Sequence, residues 1–307
     1  MSTCVSPLEL RPYRTVQAVG TPHWEDLDAR GAAWLWLDGA QRPGLEEEVA
    51  GLCRPAERTW VWRGTAWEYG RPGYRQGPLL LRLSETLLDR YLSDWSEAGA
   101  GVILVSDDVP ALVTHLQNLR HITAANGDSV CFSLRAFRTL EEFSEGLSEQ
   151  ALSRLLGPIQ SILWRLPGES DPWRSVHNPA PDCEALEHDS AFALTEPEEA
   201  ALDHAAIEAF QRRSMQRLRN EYPELLQSES VETLIESFTT LLRESRELQL
   251  AHERDVFHFM RLRMTYPRKT FVEHRELRQI LCNKPVSARL RLRQAELILK
   301  QHHGEEA

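Results

Sequence analysis

The chain has 307 residues, of which 42% are hydrophobic and 26% charged, and a formal net charge of −11. That is enough apolar material for about two cores of ordinary domain size, and 16 Gly and 17 Pro exclude collagen-like and low-complexity organisation. A net negative chain without a recognised basic motif is a poor match to phosphate backbones, so nucleic acid is not an expected partner.

Residues 33–39 (Ala-Trp-Leu-Trp-Leu-Asp-Gly) read as a buried strand ending in a turn, and residues 44–49 as a short helix. The aromatic and β-branched run 59–64 predicts another strand, and 79–83 a third, entered through Gly77-Pro78. Residues 102–105 form the clearest central-strand run. Ser106-Asp107-Asp108 then offers capping oxygens to a helix over 109–116, whose Pro110 is tolerated because the first turn has no use for its N–H. A strand at 130–135, helices at 140–143 and 149–156, and a strand within 159–166 complete the pattern. The first part is therefore expected to be an α/β lobe, a mixed sheet flanked by helices, over residues 1–166.

Residues 167–194 are rich in Pro and acidic side chains, including Asp182 to Asp189, and read as a linker. Residues 195–307 then read as an all-α lobe. Thr195 and Glu198 have capping-box spacing at the head of a helix that Pro223 stops. Val231, Leu234, Ile235, Phe238, Leu241, Leu242 and Leu248 recur at three-four spacing on a second helix. Shorter helices are expected at 255–265, 273–282 and 287–302.

Charge is segregated along the chain. Residues 141–208 are strongly acidic, whereas 261–300 carry eleven Arg and Lys against three Glu. Such polarity favours steered docking to a charged partner. The longest apolar runs, 77–81 and 101–105, fall far short of the ~18 residues of a membrane span, and residues 1–7 lack a signal-peptide pattern, so a cytoplasmic protein without membrane contact is expected. Five scattered cysteines, Cys4, Cys53, Cys131, Cys183 and Cys282, have no zinc-ribbon spacing and read as free thiols.

No phosphate-cradling, dinucleotide-binding, nucleophile-elbow or zincin motif occurs, so no cofactor, metal or catalytic residue is assigned. Ser106 and Asp107 at a strand end, with His115 downstream, are the best catalytic lure, and a hydrolase is one rival reading. The preferred reading of these residues is helix capping, since His115 lies two turns along the same helix. Neither His274 with Glu273 and Glu276 nor His302-His303 offers a convergent ligand set. Trp34, Trp36, Trp60, Trp62 and Trp67 are expected mainly in the core. A nucleic-acid-associated regulator is the third reading.

Several segments in order resemble the adaptor-chaperone family of the bacterial type VI secretion system, first catalogued as a domain of unknown function. They are Asp38-Gly39-Ala40, Gly77-Pro78-Leu79-Leu80-Leu81, Gly101-Val102-Ile103-Leu104-Val105-Ser106 leading to Leu112-Val113-Thr114-His115-Leu116, and Leu156-Gly157-Pro158-Ile159 before Trp164. The similarity spans residues 32–166, and the helical lobe, with Phe271 ahead of Ile280-Leu281, is similar to the family's C-terminal region. Where the family tends to show Phe-Arg-x-aromatic-Asp-Pro-Arg, this chain has Phe132-Ser133-Leu134-Arg135-Ala136-Phe137-Arg138, keeping Phe132 and Arg138 without the Asp-Pro turn. The resemblance implies a non-enzymatic protein that binds a toxic effector and loads it onto the VgrG spike. On that expectation Arg261, Arg263, Arg268 and Lys269 face the effector, the α/β lobe engages the spike side, and Arg138 is a further partner-binding candidate.

Overall fold

The computed structural model describes residues 13–70, 73–166, 173–180, 191–226 and 231–306. The chain divides into two compact units, Tyr13–Ala206 and Ile207–Ala307. The first contains β1 (Gln17–Val19), α1 (Trp24–Asp28), β2 (Ala33–Asp38), α2 (Leu45–Ala50), β3 (Arg58–Trp60), β4 (Pro78–Arg82) and α3 (Glu85–Arg90). It continues with β5 (Gly101–Val105), α4 (Val109–Asn118), β6 (His121–Thr123), β7 (Ser129–Cys131), α5 (Phe137–Gly146), α6 (Glu149–Leu156), β8 (Ser161–Trp164), β9 (Trp173–His177) and β10 (Phe192–Ala193). α7 (Glu196–Glu221) begins in this unit and runs past its boundary.

Seven strands form one sheet in the order β1-β9-β8-β5-β2-β4-β3, and every pairing in it is antiparallel. Alternating strands and helices suggested mixed pairing, and the topology explains why. β4 and β5 run in the same direction, connected through α3 as in a parallel crossover, but β2 lies between them and opposes both. Among the described residues, parallel pairing is confined to a second sheet, β10-β6-β7, where β10 runs parallel to β6.

Side-chain alternation along the strands builds a core on each face of the large sheet. Trp34, Trp36, Leu80, Val102, Leu104, Ile162 and Trp164 pack with Leu112 and Leu116 of α4, Leu140 of α5 and Leu152 and Leu155 of α6. Leu35, Leu37, Leu79, Leu81, Ile103 and Leu163 pack with Leu27 of α1, Leu45 and Val49 of α2, and Leu87 and Leu88 of α3. At about 1.5–3 kcal/mol for each fully buried large aliphatic side chain, these two cores are the main stabilising term of the unit.

Two expected strands are shorter than their hydrophobic runs. Residues 59–64 yield only β3, because the Val61 amide bonds Pro78 O and the chain then turns, with Arg63 N–H on Trp60 O. The run at 130–135 yields only β7, which lies outside the large sheet with all three residues exposed. The expected linker also departs from expectation. Five of its residues, between Pro172 and Pro179, form β9, which pairs with β1 and β8 and buries Trp173 and Val176. Pro density signalled a break, but these five residues contain no Pro. Residues 167–172 and 181–190, with the acidic run Asp182 to Asp189, lie outside the described residues.

The first described segment is fastened by carboxylates from the acidic block. Glu145 on α5, 2% exposed, accepts the backbone amides of Arg14 (2.8 Å), Thr15 (2.9 Å) and Val16 (2.8 Å). One turn earlier, Glu141 accepts the Tyr13 hydroxyl at 2.8 Å and pairs with Arg174 of β9.

The second unit contains α8 (Val231–Glu247), α9 (Glu253–Thr265), α10 (Arg268–Glu273), α11 (Arg275–Cys282) and α12 (Ala288–Glu306). Leu218, Leu234, Phe238, Phe259, Met260, Leu262, Leu277, Leu292 and Leu299 form its core. The helix expected at 273–282 begins two residues later, at Arg275, because His274 Nδ1 accepts the Leu277 amide at 3.2 Å and caps α11, and α10 before it was not expected. Arg291, 3% exposed, donates to Leu281 O and, at 2.9 Å, to Leu248 O, satisfying carbonyls where two helices end.

Glu145→Ala strands the buried Val16 amide and the part-buried amides of Arg14 and Thr15, and is expected to lower the stability of the full chain by about 1–3 kcal/mol. Urea unfolding monitored by circular dichroism reads this, with Glu145→Gln falling between the two.

Candidate functional site

At the end of β5, each candidate residue has a different partner. The Ser106 Oγ is fully buried, and the Ser106 carbonyl accepts Trp34 Nε1–H at 3.0 Å. Asp107 Oδ1 accepts the Ala32 amide at 3.0 Å and Oδ2 accepts Gln160 Nε2 at 2.8 Å, and these bonds, that from Ala32 foremost, hold its carboxyl below the ordinary aspartate value. Asp108 Oδ1 accepts the Ala111 amide at 2.9 Å and caps α4, as expected.

His115 is completely buried on the inner face of α4, with Nε2 2.9 Å from Leu155 O. A carbonyl can only accept, so Nε2 carries the proton. Burial pushes the imidazole pKa down, and the bond to Leu155 offsets only part of that. Beneath the ring lies Gly157, at φ +53°, where an added Cβ would stand 2.5 Å from the ring atoms. Asn178 closes the knot by donating to Gly157 O (2.8 Å) and Ile159 O (3.1 Å), around the turn that contains Pro158. The spacing at Ser106, Asp107, His115 and Gly157 thus encodes how α4, α6 and two strand ends are locked together.

The remaining motif positions surround a different region. Asp38 Oδ1 accepts the Ala40 amide at 2.9 Å, and Oδ2 stands 2.8 Å from Arg135 Nε. The segment 132–138 is therefore tied to the end of β2 through Arg135, while Arg138, the expected partner-binding residue, is exposed on α5. Gly77 leaves room for the Trp62 ring, which a Cβ there would meet at 2.2 Å, and Pro78 begins β4. Arg120, between α4 and β6, is sandwiched by two indoles, its guanidinium carbon 3.9 Å from the Trp62 ring centre and 3.6 Å from that of Trp67. No local spacing relates these three residues.

Phe132 lines an open groove of about 400 Å³ within the first unit. Its wall includes Ile122 of β6, Val130 of β7, Phe143 of α5, Leu194, and Leu202 of α7, and Phe132 contacts Phe143 with ring centres 5.5 Å apart. Two carboxylates, Glu199 and Asp203, also line it. The groove draws on four elements, and of its residues only Phe132 was a candidate site position in the sequence.

In the second unit, two of the four basic residues expected to face a partner are committed internally. Arg261 donates to Glu296 Oε1 at 2.9 Å, and its guanidinium carbon lies 5.4 Å from the Tyr222 ring centre. Arg263, with its side chain only 9% exposed, bonds Glu244 at 3.0 and 3.2 Å and lies over Phe271. Burial alone would raise the Glu296 carboxyl, but hydrogen bonds from Arg261, Lys300 and His258 and the Arg261 charge bring it down to about 2. The other two, Arg268 and Lys269, are exposed. On α12, Leu290 (48% exposed) and Leu297 (62% exposed) share a stripe with Gln294, and Arg289, Arg293 and Lys300 form a basic ridge beside it. Among the described residues, no group of three or more His, Cys, Asp or Glu is placed to hold a metal, and no helix is long and apolar enough to cross a membrane.

A base whose folded pKa is depressed contributes its stability while neutral. That contribution is complete above the ordinary imidazole value of 6.5 and is lost as pH falls below it towards the folded pKa. The unfolding midpoint of the full chain is expected to fall between about pH 7.5 and about pH 5.5, and His115→Gln, which keeps a donor for Leu155 O but cannot ionise there, to flatten part of that fall. Gly157→Ala is expected to cost about 2 kcal/mol or more at any pH, from the crowded ring and the positive φ together.

Residues 33–154 match a family model described as Domain of unknown function (DUF4123). No curated protein and no solved structure matches the chain. From β2 through most of α6, a span that includes Asp38, Gly77, Pro78, Ser106, His115 and Phe132, the chain is therefore similar to a domain of unknown function associated with type VI secretion.

Proposed function

We propose that the protein is a non-enzymatic adaptor that binds a toxic effector of the type VI secretion system and hands it to the VgrG spike. The match of residues 33–154 supports the secretion context. The observation that carries the binding role is the exposed face of α12, where Leu290 and Leu297 stand in solvent beside Arg289 and Arg293, with Lys300 paired to Glu296. An apolar ridge flanked by cations suits a partner that must be held and then released. The leucines supply area, and the charges supply steering and orientation more than affinity. Arg268 and Lys269 extend the basic exposed surface of the same unit. Arg261 and Arg263 support the fold of that surface and do not face the partner.

Co-expression with toxin-like products of neighbouring genes, followed by affinity capture, tests this reading. Leu297→Asp combined with Arg268→Glu and Lys269→Glu is expected to reduce recovery of the effector by about tenfold or more while the unfolding midpoint stays in place. Arg263→Glu is expected to lower the midpoint itself, by leaving Glu244 unpaired beside a new like charge. Full recovery with the triple variant, or no association with any neighbouring toxin, overturns the proposal.

A further inference from the structure

β7 is the outer strand of the small sheet, and among the described residues no strand pairs with its far side. The Phe132 amide bonds Arg120 O at 2.7 Å and the Ala124 amide bonds Asp128 O at 2.8 Å, on either side of the facing pair Ile122 and Val130. Bonded pairs alternate every two residues in an antiparallel ladder, so Val130 turns its N–H and C=O towards β6. Ser129 and Cys131 then turn theirs outward. Protein edges are ordinarily blunted by Lys, Pro, a bulge or brevity; Ser129-Val130-Cys131 has neither Lys nor Pro, and at three residues it offers a short ladder only. Val130 is 57% exposed and belongs to the wall of the groove formed with Phe132, Phe143 and Leu202.

We propose that β7 accepts an extended segment of another protein as an added strand, whose side chains on the groove face include an apolar residue and, two positions away, a Lys or Arg. The outward N–H and C=O groups of Ser129 and Cys131 offer main-chain bonds, and the groove receives an apolar side chain from the added strand. Glu199 and Asp203, which line the groove, set the sign of the occupant: a cationic side chain is attracted and an acidic segment is repelled. A helix satisfies its own backbone and has nothing to give this edge, so the free ladder groups select an extended chain. For the biological source of the strand this inference rests on the adaptor reading. Its chemistry rests on the edge and groove alone.

The test uses the full chain and a fluorescein-labelled nonapeptide, Thr-Val-Thr-Lys-Thr-Val-Thr-Lys-Thr (the Val/Lys peptide), which sets Val and Lys on one face, read by fluorescence anisotropy and amide hydrogen exchange. Binding is expected, with exchange at Ser129 and Cys131 slowed at least about tenfold in the complex. A Val/Glu nonapeptide, and the Val/Lys peptide N-methylated at alternate residues, are expected to bind at least about tenfold more weakly. Cys131→Pro removes an outward N–H without touching the ladder to β6, and Asp203→Lys reverses a charge at the groove. Each is expected to weaken binding at least about fivefold with the unfolding midpoint retained. If the N-methylated peptide binds as well as its parent, the attraction is charge alone and the proposal is overturned. Failure of the Val/Lys peptide to bind, or preferential binding of an amphipathic helical peptide, also overturns it. None of these outcomes involves a toxin or the spike, so the adaptor reading is decided separately by the co-expression experiment.

Discussion

The large sheet is antiparallel yet has no solvent face at its centre, and that constraint governs the first unit. Antiparallel sheets commonly leave one side wet, whereas β2 and β5 are buried almost end to end because helices lie on both faces. Every polar group near those strands must then find an internal partner or bear the cost of desolvation. Asp107, His115, Asn178, Glu141 and Glu145 are placed where that demand arises, at strand ends, in the turn after α6 and on the helix that holds the first strand. Polar residues that would look catalytic on a more open sheet are here consumed by the fold. Surfaces free to act lie away from the centre, on β7 and its groove and, in the second unit, on α12.

The charge segregation of the sequence has a similar double use. Part of the acidic block anchors residues 13–16 and Arg174, and part of the basic block closes ion pairs among α8, α9 and α12 or caps carbonyls through Arg291. The buried and half-buried charges of each block are neutralised within the fold, and those exposed, such as Arg268 and Arg293 on one unit and Asp203 on the other, are of opposite sign.

What could be read from the sequence was what is local. The Asp108 cap and the Thr195–Glu198 box involve partners within four residues, and both form. Apolar runs located β2, β3, β4, β5 and β8 of the large sheet, and three-four spacing located the helices of the second unit apart from α10. The Glu145 contact with Thr15 joins residues 130 apart, and the Arg120 stack unites residues from two distant segments, so no spacing rule could reveal either. The strand within the Pro-rich segment was hidden by its flanking prolines, and the break at His274 by an imidazole serving as a cap. β7 illustrates the opposite failure. Its run was read as a strand continuing the pattern of the others, but hydrophobicity alone does not distinguish an inner strand from an outer one.

The indole sandwich around Arg120 also makes the protein its own gauge. The carbonyl of Arg120 accepts the amide of Phe132, the first residue after the outer strand, so the backbone that would carry a docked chain is continuous with the one that positions the cation between Trp62 and Trp67. Emission from those two rings is sensitive to the guanidinium between them. Occupancy at that rim thus has a route to an intrinsic optical signal, with no label attached.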